Sequence, residues 1–197
     1  MPTLTIDALG ELRNRLNSGE TDIETAAQDY SIAELAGGLQ DTRGQLQAIA
    51  DRWTQDQLLT RPPLAEREDV AEASDRWSAT EAISHLIATQ NWYMLHMGRL
   101  LGRREQFDVM PHGLGDQARQ DILKSELTTA LRSATDRFLA YIAGIPADVD
   151  WTQKRSSTFF GDLSLRGWVL LATLHDEDHL RQIQRLAALP AFPAGKA

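Results

Sequence analysis

Two histidines, His175 and His179, stand four residues apart in "LHDEDHLRQIQRL". On an α-helix that spacing sets both imidazoles on one face, where they can meet a single ion. The segment is not the metalloprotease motif H-E-x-x-H, which needs Glu directly after the first histidine. Asp176 stands there instead, and Glu177, two positions from each histidine, projects to another face and is a poor candidate base. The preceding residues "WVLLATL" are strongly apolar, so the pair lies on a stripe that turns inward, where imidazoles need partners. The competing reading is a polar pair, solvated or capping, on an ordinary helix.

His85 lies in similar surroundings, within "AISHLIA", on a second helix that a bundle would pack near the first. Two histidines from one helix and one from another give three nitrogen ligands and leave positions open for water or substrate. A catalytic metal site has that pattern and a closed structural one does not. Taken alone, His85 is equally well read as a buried histidine bonded to a carbonyl. Gln182, three residues after His179, shares the stripe and can orient a ligand or bond a bound water, or simply pack. His96 is three turns beyond His85, roughly 16 Å along the same helix, and cannot share its ion. His112, in a glycine-containing loop, reads as a surface residue. Trp77, Trp92, Tyr93, Trp151 and Trp168 read as core or pocket wall. Arg155 and Arg166 read as solvated charges, with an anionic substrate group as the alternative partner.

Four long helices must position these groups. Leu35, Leu39, Leu46, Ile49, Trp53 and Leu58 recur near a 3.6-residue period, which predicts a first long helix from Ser31 to about Leu59, stopped by Pro62 and Pro63. Ser78 and Glu81 form an S-x-x-E capping box for a second, Ala79 to Leu101. A third is expected from about Gln120 to Ala143, with Ile122, Leu123, Leu127, Leu131, Phe138 and Leu139 inward. Ser164 can cap a fourth, which carries the histidine pair and ends before Pro190. The stretch "VDWTQKRSSTFFGDLS" reads as extended or irregular, and residues 102–118 as a long connection that can line a pocket or cap the bundle. Short helices are expected near Ile6 to Leu16 and Ile23 to Ala27. The reading is therefore all-α: an N-terminal helical extension over residues 1–30, then a four-helix bundle over 31–190.

Composition narrows the chemistry. A chain of 197 residues is large enough for one substantial core. Its formal charge of −8, with no clustered Lys or Arg, disfavours a phosphate backbone as partner. The absence of cysteine removes disulfides, thiolate nucleophiles and Cys-rich zinc sites together, so a metal must use His, carboxylates or water. "MPTLTIDALG" lacks the basic start and apolar run of a signal peptide, and no segment approaches 18 apolar residues in a row. The expectation is a soluble cytoplasmic protein with no membrane and no nucleic-acid partner.

"RWSATEAISHLIATQNWY", followed later by "GWVLLATLHDEDHLRQIQRL", resembles the DinB/YfiT-like superfamily over about residues 31–188. The resemblance rests on a Trp before the His-bearing second helix and on H-D-x-x-H-x-x-Q on the fourth. It implies a four-helix bundle whose metal ligands are His85, His175 and His179, with Gln182 beside them. It also implies a divalent ion, zinc or nickel first and iron or manganese next, a small-molecule substrate, and a homodimer. Relatives include thiol S-transferases using low-molecular-weight thiols such as bacillithiol, and the mycothiol-dependent maleylpyruvate isomerase. The implied function is thiol S-transferase-like or hydrolase-like chemistry in stress or detoxification, with a low-molecular-weight thiol as cosubstrate. The alternative is a non-catalytic bundle that binds a metal or small ligand. One departure is clear: many relatives carry an acid about one turn after the second-helix histidine, and here Thr89 and Gln90 stand there.

Overall fold

The computed structural model describes residues 4–63, 76–104, 122–157 and 159–194. The long helices are α3 (Ile32–Arg52), α5 (Ala79–Leu100), α6 (Lys124–Ala143) and α7 (Leu165–Ala187). Around the bundle α3 packs on α6 and α7, and α5 packs on the same two. The sequential pairs α3/α5 and α6/α7 are therefore diagonal, and α5, which carries His85, becomes a direct neighbour of α7, which carries His175 and His179.

Local chemistry sets the helix ends. Ser78 Oγ accepts from Glu81 N–H (3.3 Å) while Glu81 Oε2 accepts from Ser78 N–H (2.9 Å), closing the capping box foreseen for α5. Ser164 Oγ accepts from Gly167 N–H at the start of α7 (3.3 Å). The N-terminal helices α1 (Ile6–Asn17) and α2 (Ile23–Ala27) pack onto the bundle, with Leu4, Leu9, Leu12, Ala26 and Ala27 buried in its core. Glu24 of α2 adds its carboxylate to the start of α7, accepting from Ser164 N–H (2.8 Å) and Oγ (2.9 Å), where the helix dipole favours an anion. A Cβ on Gly167 would lie 2.6 Å from that carboxylate oxygen, so glycine is what admits it. Gly38 of α3 likewise admits Leu4: a Cβ there would sit 2.9 Å from the leucine side chain.

Two expectations are corrected and a third is made specific. The helix predicted from Ser31 to Leu59 is two: α3 ends at Arg52, and Thr54 opens the short α4 (Gln55–Leu59) with its own capping box to Gln57. The period misleads because α4 buries Leu58 in the same cluster as Leu46 and Ile49. The third long helix begins at Lys124; Leu123 is its N-cap and is 58% exposed rather than inward, because the side chain precedes the first turn. The stretch read as extended or irregular contains an antiparallel hairpin, β1 (Arg155–Ser157) on β2 (Gly161–Leu163), in register Arg155 with Leu163. Residues Gln120 and His112, and most of the 102–118 connection, lie outside the described residues.

Two apolar clusters fill the bundle. One gathers α1, α2 and the first half of α7 around Trp168 and Phe138; the other gathers Leu46, Ile83, Leu127, Leu180 and Ile183. Along α3, α5 and α7 the clusters are parted by polar residues, Arg43, Gln90, Asp176, Glu177 and His179, all buried. Such a layer costs stability unless its groups are paired, and the candidate site lies in it.

Candidate metal centre

His85, His175 and His179 converge in this layer, and one ring nitrogen from each lies within 4.8 Å of the others. His85 Nε2 is 3.2 Å from His175 Nε2. Two nitrogens bound to one ion at 2.0–2.1 Å with tetrahedral angles stand about 3.3 Å apart, so this contact has the length of a coordination edge. The three rings meet edge to face, with centroids 4.8 to 5.2 Å apart.

Each histidine is set by its helix and its neighbours. His175 and His179 project from one face of α7 by their i,i+4 spacing. Gln182, one turn on, places Oε1 2.7 Å from His179 Nδ1; an amide oxygen only accepts, so the proton sits on Nδ1 and the lone pair on Nε2. Burial first, and then His179, His85, Arg43 and Arg13, push His175 well below the usual imidazole range. The ring keeps some exposed area, yet the protein packed around it makes burial the leading cause. It is neutral at pH 7, the form that binds a metal. Its Nδ1 is buried and meets no hydrogen-bond partner among the described residues. These features fit a divalent ion.

Trp77 walls the group, its ring stacked on His179 (5.7 Å, 12° between planes) and tilted on His85 (4.9 Å). Thr89, at the position where relatives carry an acid, turns its hydroxyl back to the His85 carbonyl (2.7 Å) and lies 3.3 Å from His85 Nε2. A neutral oxygen therefore faces the site, as the departure at Thr89 implied. His96 stands apart, stacked on Trp168 at 4.3 Å. Trp92 joins that aromatic group and not the histidine cluster.

The acids between the histidines are each held by an arginine. Asp176 accepts from Arg43 Nε (2.6 Å). Glu177, fully buried, accepts from Arg13 Nε (2.9 Å) and from Arg181, and Asp178 pairs with Arg13. Glu177 is thus turned to α1, away from the site, as its position two residues from each histidine implied. Burial raises the Asp176 carboxyl above the usual range, with Arg43 opposing the shift. Arg166, half-buried, lies over the Trp151 ring at 5.1 Å and donates to Gln28 in an exposed hydrogen bond. The role of Arg43 was missed; its one legible sign is a charge on the apolar stripe of α3, four residues after Leu39 and three before Leu46.

No helix among the described residues is long and apolar enough to cross a membrane. In comparison with known proteins, a family model, that of the DinB superfamily, matches residues 38–183. No curated protein and no solved structure matches the chain.

Proposed function

This chain belongs to the DinB superfamily, and from that premise we propose that it is a divalent-metal enzyme in which His85, His175 and His179 hold the ion and Gln182 orients His179. The observation that carries the reading is the convergence of three ring nitrogens within 4.8 Å from two helices, with His85 and His175 90 residues apart in sequence. When bound, such an ion lowers the pKa of a thiol or water in its open position to near neutrality.

What the chain's own residues do follows from their placement. His175 is kept neutral by burial, so it does not have to shed a proton to bind. Gln182 fixes the tautomer of His179. Trp77 closes one side of the site against water. The chain has no cysteine, so thiol S-transferase-like chemistry takes its thiol from a low-molecular-weight cosubstrate, and hydrolase-like chemistry uses water. The ion in this reading is zinc or nickel first, with iron or manganese next; three imidazoles alone do not distinguish among them. The substrate in this reading is a small electrophile met in stress or detoxification, handled in the cytoplasm by a homodimer, without nucleic acid or membrane.

The second reading is a non-catalytic protein that captures a metal or small ligand with the same three histidines. Thr89 favours it, because a hydroxyl replaces the acid that could serve as a base. The test is elemental analysis of untagged protein beside His85→Ala and His175→Ala variants, then turnover assays pairing thiols with electrophiles. About one metal per chain, lost in both variants, with thiol-dependent turnover supports the enzyme. Metal without turnover leaves the binding protein, and no metal uptake abandons both.

A further inference from the structure

Beside the histidines, the polar layer holds a second group that the reading above does not use. Arg43 of α3, 1% exposed, donates Nε to Asp176 Oδ2 of α7 (2.6 Å) and Nη1 to Gln90 Oε1 of α5 (2.6 Å). Its guanidinium lies over the ring of Phe138 on α6, 5.5 Å from the centroid. One side chain thus touches all three other long helices.

Stability alone does not account for it. Replacing a buried arginine–carboxylate pair by apolar side chains of similar volume is often neutral or stabilising. Here the arrangement also leaves Arg43 Nη2 and Gln90 Nε2 buried without a partner among the described residues, and unpaired buried donors are costly. What the guanidinium offers that an apolar residue lacks is direction, because its rigid fork holds two acceptors at a set angle and separation.

The two acceptors belong to the two helices that carry the histidines. Asp176 is the residue next to His175, and Gln90 follows His85 by about one and a half turns. The contact at 3.2 Å between His85 and His175 joins the same two helices, while α3 contributes no histidine. We propose that Arg43, with Gln90 and Asp176, is the positioning device of the three-histidine site, fixing the spacing and axial register of α5 against α7 so that His85 meets the pair on α7. The inference rests on the metal reading above.

The test uses the full chain and Zn²⁺ alone as probe, with affinity read by competition against a chromophoric chelator and the melting temperature recorded for each metal-free protein. Gln90→Met cuts the link to α5 and leaves the ion pair intact; it strands Arg43 Nη1 but removes the unpaired Gln90 Nε2, so it should bind Zn²⁺ about tenfold or more weakly with only a small fall in melting temperature. Gln90→Glu keeps the acceptor and should hold native affinity within about threefold, with the native visible spectrum of bound Co²⁺. The double variant Arg43→Met/Asp176→Leu removes the arginine and its carboxylate together, without stranding a charge, and should lose affinity as Gln90→Met does. Native affinity in both Gln90→Met and the double variant overturns the proposal, as does an affinity that falls only in step with the melting temperature. A native protein that takes up no Zn²⁺ overturns the metal reading itself, an outcome distinct from native binding that the variants fail to weaken.

Discussion

His179 Nδ1 lies 2.7 Å from Gln182 Oε1, one helical turn along α7. The contact decides which nitrogen of His179 carries the proton, and so which one can face His85 and His175. Hydrogen-bond partners behind metal-binding histidines commonly carry ten- to hundredfold in affinity. Gln182→Leu should therefore weaken Zn²⁺ binding by about that factor, measured by chelator competition. Gln182→Glu should keep or raise the affinity, since a carboxylate accepts the same proton. Equal affinity in all three proteins would detach Gln182 from the site.

Trp77 offers a direct optical probe, because its ring touches two of the three histidines while Trp92 and Trp168 pack with His96 elsewhere. Titration with Co²⁺ or Ni²⁺, whose partly filled d shells quench nearby indoles, should lower tryptophan emission at about one equivalent. Trp77→Phe should remove the largest share of that quench although four tryptophans remain. A quench unchanged in Trp77→Phe would mean that the ion binds away from these histidines.

Much of this arrangement is legible in the sequence, for physical reasons. The i,i+4 pair on α7 and the inward stripe around His85 follow from helical periodicity, and the caps Ser78 and Ser164 mark where two of the helices begin. The break after Arg52 is hidden because Leu58 returns to the same apolar cluster, so the period continues across it; the signal was the capping box from Thr54 to Gln57. The Arg43 network is hidden differently. Its partners are 47 and 133 residues away, and Asp176 sits in an acidic run that looks solvated, so only the packing of α3 between α6 and α7 reveals the pairing. The hairpin escapes because three-residue strands carry too few side chains to show an alternation.

Metal should stabilise the fold by mass action. The three histidines join α5 to α7, so an ion that binds them binds the folded chain far better than the unfolded one. Free Zn²⁺ at about a hundred times its dissociation constant should add about 2.7 kcal/mol, read as a rise in the midpoint of urea unfolding relative to chelator-treated protein. His175→Ala should show no such rise. A rise of the same size in His175→Ala would place the stabilising ion at another site.

Arg13 ties the N-terminal helix to the histidine-bearing turn. It bonds Glu177, pairs with Asp178 and donates to the Leu174 carbonyl, and it is 21% exposed while Glu177 is fully buried. Arg13→Met should cost about 1–3 kcal/mol, the penalty for loosening a buried charge from one partner, and no more, because Arg181 still donates to Glu177. Urea unfolding measures the loss, and Zn²⁺ stoichiometry should stay at about one, since Arg13 meets the acids between the histidines and not the histidines themselves.

The buried pair Arg43–Asp176 should behave in the opposite way. Both side chains are 1% exposed, so Arg43→Met strands a carboxylate in the core and should cost about 3–5 kcal/mol. Burial already raises the Asp176 carboxyl and the arginine is what opposes that shift, so removing Arg43 leaves the burial penalty unopposed. Adding Asp176→Leu to Arg43→Met removes the carboxylate altogether and should return most of the lost stability in urea unfolding. A double variant no more stable than Arg43→Met alone would mean that the cost lies in the packing around Phe138 and not in the stranded charge.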